Sequence, residues 1–79
     1  MTASYRFGKD LRDTALAFAR ERTKMEEIPY GWRGKYAETT LTVYRSGVVT
    51  VQGPETPFFH EVARAFKNLK LRAVHGQNA

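Results

Sequence analysis

Apolar and polar side chains alternate along residues 38–53, E-T-T-L-T-V-Y-R-S-G-V-V-T-V-Q-G, the most regular pattern in the chain. A period of two with Val, Thr and Tyr at most positions predicts strands, because branched and aromatic side chains suit a pleated, half-buried surface. Ser46-Gly47 between the two runs predicts a hairpin turn. Two registers compete. A two-residue loop pairs Val43 with Thr50 and sends Val49 to the opposite face. A three-residue loop, Arg45-Ser46-Gly47, pairs Val43 with Val49 and Leu41 with Val51, and places glycine where such a loop needs its left-handed residue. The second register is expected, since a slip of one residue turns half the apolar set into water. Thr40, Thr42, Tyr44, Val48, Thr50 and Gln52 then share the other face.

The flanking segments follow the same logic. Ala3, Tyr5 and Phe7 alternate with Ser4 and Arg6, predicting a short first strand that Gly8 ends. From Asp10 the period lengthens, and Leu11, Ala15, Phe18, Ala19 and Arg22 form a helical stripe whose last member contributes its aliphatic stem. Leu16 widens that stripe. Asp10 is the expected N-cap; Asp13 in the first turn and Arg20, Arg22 and Lys24 near the other end suit the helix dipole. Residues 24–35 are the least patterned. Pro29 ends any helix before it, and Y-G-W-R-G-K-Y predicts a strand over Trp32 to Ala37, weakened by its glycines. After Gly53, Thr56 as N-cap and Pro57 as first helical residue open a second helix. Its buried stripe is Phe59, Val62, Ala63, Phe66 and Leu69, and its outer face carries His60, Arg64 and Lys67. Residues 72–79, with Gly, Gln and Asn, are expected to fray.

The order predicts one α+β domain over residues 1–79. Its antiparallel sheet has three to four strands, β-α-β-β-(β)-α along the chain, with two helices on one face and the other face open.

Composition narrows the function. A chain of 79 residues buries roughly 60% of its unfolded surface, leaving no room for a second domain or a deep cleft. A net charge of +5 and a pI near 9.9 favour anionic partners, nucleic acid first. Without cysteine there is no disulfide framework and no thiolate metal site. No window approaches the ~20 apolar residues of a membrane span, and M-T-A-S-Y-R-F-G-K-D lacks the apolar run of a secretion signal. A cytoplasmic location without a membrane partner is the expectation. Catalysis is not expected. His60 and His75 are fifteen residues apart with no metal-ligand spacing. Glu26-Glu27 reads as a solvated pair, and G-W-R-G lacks the Lys-Ser/Thr and the strand-to-helix setting of a phosphate loop. No catalytic residue, metal or cofactor is assigned.

The run V-Y-R-S-G-V-V-T-V-Q-G at 43–53 resembles the middle of the N-terminal domain of bacterial ribonuclease HIII, a module similar to one half of the TATA-binding protein. That family carries a run close to T-A-Y-R-S-G-K-V-x-x-Q-G, followed directly by a helix. Thr42, Tyr44, Arg45, Ser46, Gly47, Val49, Gln52 and Gly53 carry the match; outside Thr40 to Gly53 only the element order agrees. The resemblance implies a TATA-binding-protein-like sheet that grips a duplex, in the nuclease an RNA/DNA hybrid, while a separate domain cleaves. This sequence departs from the family by ending at residue 79 with no nuclease domain, so only the binding role carries over, as in a phage or host regulatory protein or an excised module.

Thr40, Thr42, Tyr44 and Gln52 on the open face, with Arg45 at the turn and Arg33 and Lys35 flanking, are the candidate nucleic-acid contacts. Rings stack or wedge while cations meet phosphates. The plainer reading is that Thr and Tyr suit any solvent-facing strand and that Trp32, the one tryptophan, belongs to the core. Tyr30 and Tyr36 interleave with the same cations. Arg64, Lys67, Lys70 and Arg72 follow the last acid, Glu61, and give the C-terminal quarter a charge of +4, ordinarily a solvated helix face.

Two functions are therefore expected in order: a non-catalytic module binding duplex or hybrid nucleic acid, then a small protein-interaction or inhibitor protein, phage or defence-related, docking through the same face or a sheet edge. A homodimer joining two sheets fits either. A double-stranded-RNA-binding domain shares the helix–strands–helix order, but its last helix opens on lysines, whereas this one opens P-E-T-P-F-F.

Overall fold

The hairpin of β4 (Thr39–Tyr44) and β5 (Val48–Gln52) forms in the three-residue register, with Val43 opposite Val49 and Leu41 opposite Val51. All four side chains are fully buried, each worth about 1.5–3 kcal/mol relative to exposure. Gly47 turns the chain with φ 93° and donates to the Tyr44 carbonyl at 2.9 Å. The backbone of Gly8 occupies the space a Cβ at Gly47 would need, so the turn demands glycine twice over.

The computed structural model describes the backbone of residues 1–78 and the side chains through residue 73. Before the hairpin come β1 (Thr2–Arg6), α1 (Arg12–Arg20), β2 (Glu26–Ile28) and β3 (Gly31–Tyr36); after it comes α2 (Pro57–Asn78). The sheet order is β1-β5-β4-β3-β2, antiparallel throughout, with β4 at the centre. Ala15, Leu16 and Ala19 of α1 and Phe59, Val62 and Phe66 of α2 join the buried hairpin valines in one core, so both helices cover the same face. The Phe66 ring lies among Phe18, Phe7 and Tyr5, with centroids at 5.2, 6.2 and 6.5 Å. Thr56 caps α2 as expected, its Oγ1 accepting from the Phe59 N–H at 3.1 Å.

The α+β class and the single covered face are as expected; the sheet is wider. It has five strands rather than three to four. The additional one, β2, is E-E-I, too short and too polar to show a period. It pairs with β3 through a two-residue turn at Pro29-Tyr30, with Ile28 opposite Gly31. The segment entering β2 passes so close over β3 that the Lys24 carbonyl oxygen fills the position of a Gly34 Cβ. Asp10 is not the N-cap of α1. The chain enters through a 3-10 turn, Lys9–Leu11, and α1 follows from Leu11 without a side-chain cap. Asp13 keeps its place in the first turn. The end expected to fray is helical past Arg72 to Asn78; residue 79 lies outside the described residues. One turn has no sequence signature. Ala37 and Glu38 join β3 to β4 with φ 50° and 66°, the left-handed pair that a two-residue hairpin normally fills with Asn-Gly.

Candidate nucleic-acid interface

Antiparallel partners project to the same side of a sheet, so the register fixes the composition of the face away from the helices. It holds three rows. At the turn end lie Arg6 and Val48, with Tyr44, Gly31 and Ile28 beside them. The middle row runs Ser4, Thr50, Thr42, Arg33, Glu26. The third runs Thr2, Gln52, Thr40, Lys35. Hydroxyls thus fill the centre and cations stand on both flanks.

Side-chain detail separates contact from support. Thr42 is only 6% exposed, shaded by Arg33 and Thr50 directly opposite, and forms the floor of the face. Thr40 and Tyr44 are half-buried; Gln52, Arg33 and Lys35 are exposed. Tyr44 stacks on Tyr30, with centroids 5.6 Å apart and planes inclined by 25°. Tyr30 itself is 49% exposed, so the pair presents one free aromatic surface. Arg33 and Lys35 also border a shallow hollow of about 320 Å³ shared with Lys24 and Glu26. Among the described residues, Arg6, Arg33 and Lys35 form no ion pair.

Arg45 stands elsewhere. Its guanidinium donates to Glu27 Oε2 at 2.8 Å and to the carbonyls of Pro29 and Ile28 at 3.3 and 3.4 Å. It also lies 4.9 Å over the Trp32 ring, and Trp32 faces the helices with Val43. Arg12 of α1 approaches the same ring at 5.7 Å and donates to the Arg45 carbonyl at 3.1 Å. The strand's alternation turns Tyr44 to one side and hands the next residue to the other. Arg45 is therefore a fastener between two hairpin turns and α1, not part of the open face. The same alternation divides Y-G-W-R-G-K-Y. Trp32 and Tyr36 go to the helix side, where Tyr36 meets Phe58 edge-on at 4.9 Å, and Arg33 and Lys35 go to the open side.

Sequence reasoning missed Ser4, Arg6 and Lys24. The alternation of β1 already turned Ser4 and Arg6 away from the core, but nothing local announced that β1 would pair with β5. Away from this face, His60 Nε2 lies 3.4 Å from Glu55 Oε1, and the side chain of His75 lies outside the described residues. No helix among the described residues is long and apolar enough to cross a membrane. No family model, curated protein or solved structure matches the chain.

Proposed function

We propose that this protein is a non-catalytic module that binds duplex or hybrid nucleic acid across its open sheet face. One observation carries the reading: Arg6, Arg33 and Lys35 share an uncovered five-stranded face with a single acid, Glu26, around the Tyr30–Tyr44 pair and a floor of hydroxyls. Five strands at ~4.8 Å spacing and ~3.4 Å per residue make a platform roughly 20 Å on each side, comparable to the width of a duplex. Cations on opposite flanks of such a platform meet phosphates of both strands, while hydroxyls and the tyrosine pair meet sugars and exposed edges. Recognition then rests on backbone and shape rather than sequence. The resemblance to the ribonuclease HIII N-terminal domain supports the same role, although Arg45, one of the residues that carry it, serves here as a fastener.

Chemical-shift mapping with a 12-base-pair duplex tests the reading. The amides of Ser4, Arg6, Arg33, Lys35 and Thr50 should move together while those of α2 stay still. Perturbation confined to α2, or none at low salt, contradicts it.

A further inference from the structure

The second free surface of the molecule is the outer edge of β1. Met1 and Gly53 exchange both backbone hydrogen bonds, at 2.9 and 3.0 Å, and Phe7 donates to Gly47 at 2.9 Å. In an antiparallel ladder the direction of these groups alternates residue by residue. The odd-numbered residues of β1 therefore point at β5, and Thr2, Ser4 and Arg6 turn N–H and C=O outward. Among the described residues nothing pairs with them. Beside this edge, on the helix side, runs a groove of about 600 Å³ between Tyr5 and the α2 residues Ala63, Arg64, Lys67 and Leu71. Its floor is fixed by the Tyr5 hydroxyl, which donates to the Ala63 carbonyl at 2.9 Å. Leu71, 49% exposed, gives the groove an apolar wall, and Arg64 and Lys67 give it a positive rim with no acid in the lining.

We propose that the β1 edge and this groove dock an extended, acidic segment of a partner protein, which adds to the sheet as a further strand. Outward backbone groups of β1 supply hydrogen bonds. Alternate side chains of the added strand fall over the groove, where apolar ones meet Tyr5 and Leu71 and acidic ones meet Arg64 and Lys67; those on the opposite side approach Arg6. A second copy of this chain would satisfy the same backbone groups, pairing Ser4 with its own copy and Thr2 with Arg6. That arrangement brings two α2 helices together with Arg64 and Lys67 facing like charges, so an acidic partner is favoured. The other edge discriminates. β2 is three residues long, carries Glu26 and Glu27 and is followed by Pro29, so it repels an acidic strand and has no length to hold one. Ser4 and Arg6 border both surfaces, but Tyr5, Arg64, Lys67 and Leu71 lie off the nucleic-acid face, so charge reversal at Arg64 and Lys67 tests this surface alone.

The probe is a labelled ten-residue peptide alternating valine and glutamate, with its valine–lysine counterpart, titrated into the full chain and followed by fluorescence anisotropy. The glutamate peptide should bind roughly tenfold or more tightly than the lysine one. Ser4→Pro removes an outward N–H at an edge position where proline is compatible with a strand. It should weaken the glutamate peptide roughly tenfold and leave the circular dichroism spectrum unchanged. Arg64→Glu with Lys67→Glu, both exposed, should reverse the preference for the acidic peptide and decides the matter if the proline variant does not fold. Any of three results overturns the proposal: no binding of the glutamate peptide up to about 1 mM, binding indifferent to the charge reversal, or a wild-type dimer abolished by Ser4→Pro, which would assign the edge to a second copy.

Discussion

Arg45 and Trp32 stack on the helix side of the sheet, guanidinium 4.9 Å from the ring centroid, one residue after a tyrosine that faces the opposite way. The pair joins three segments remote in sequence: the β2–β3 turn through Glu27 and two carbonyls, the β4–β5 turn that carries Arg45, and α1 through Arg12. A residue that the motif alone suggests for ligand contact thus spends its donors internally.

Arg45→Ala is accordingly a stability variant. Its side chain is partly exposed, so the ion pair with Glu27 is largely screened, and the stack on Trp32 adds a comparable amount. The loss should be about 1 kcal/mol, a fall in Tm of roughly 4–8 °C for a chain of this size. Duplex affinity should stay within about twofold of wild type. Thermal melts and binding isotherms on one preparation separate the two effects.

The Ala37-Glu38 turn should be improvable. Side chains other than glycine held at positive φ cost roughly 1–2 kcal/mol each, and Asn-Gly suits both positions. Ala37→Asn with Glu38→Gly should raise stability by about 1 kcal/mol after the entropy lost by glycine is deducted, seen as a higher Tm with an unchanged denaturant slope. A lower Tm would mean that the turn is held by contacts of Ala37 or Glu38 themselves.

Tyr5 gives a pH dependence with a definite sign. Burial raises its pKa above the ordinary value of 10.0, because the ionised phenolate is less well solvated there. The folded state then holds the proton more tightly than the unfolded chain. This contribution is complete below pH 10.0 and fades as pH climbs through the folded-state value. Tyr5→Phe should lose about 1 kcal/mol at neutral pH, where the hydrogen bond to Ala63 is removed, yet lose less than wild type on going from pH 9 to about 11. Urea melts at both values check it, and parallel pH profiles would rule it out.

The fold was legible wherever one residue type forces one geometry. Of the two registers open to the central hairpin only one buries Leu41, Val43, Val49 and Val51 together, and Thr56-Pro57 admits one helix start. Both are found. What escaped depends on partners distant in sequence. β2 has one apolar residue and exists because β3 offers it a ladder. Asp10 has the chemistry of a cap, but the chain tightens into a 3-10 turn before α1 begins. Within the candidate site, alternation placed Arg33, Lys35 and Tyr44 on one surface, whereas Arg6 joined them only through the pairing of β1 with β5. Arg45 follows Tyr44, so the same alternation sends it to the helix side, where Glu27 and Trp32 hold it; the motif match taken alone hides that change of side.

The salt dependence of duplex affinity tests the central claim most directly. With Arg6, Arg33 and Lys35 as phosphate contacts, log affinity against log salt should fall with a slope of about −2.7, roughly a 40-fold loss between about 50 and 200 mM. Arg33→Ala and Lys35→Ala should each bring the slope about 0.9 closer to zero, while Arg45→Ala leaves it in place. A slope near zero, or one reduced by Arg45→Ala and untouched by the other two, would contradict the account.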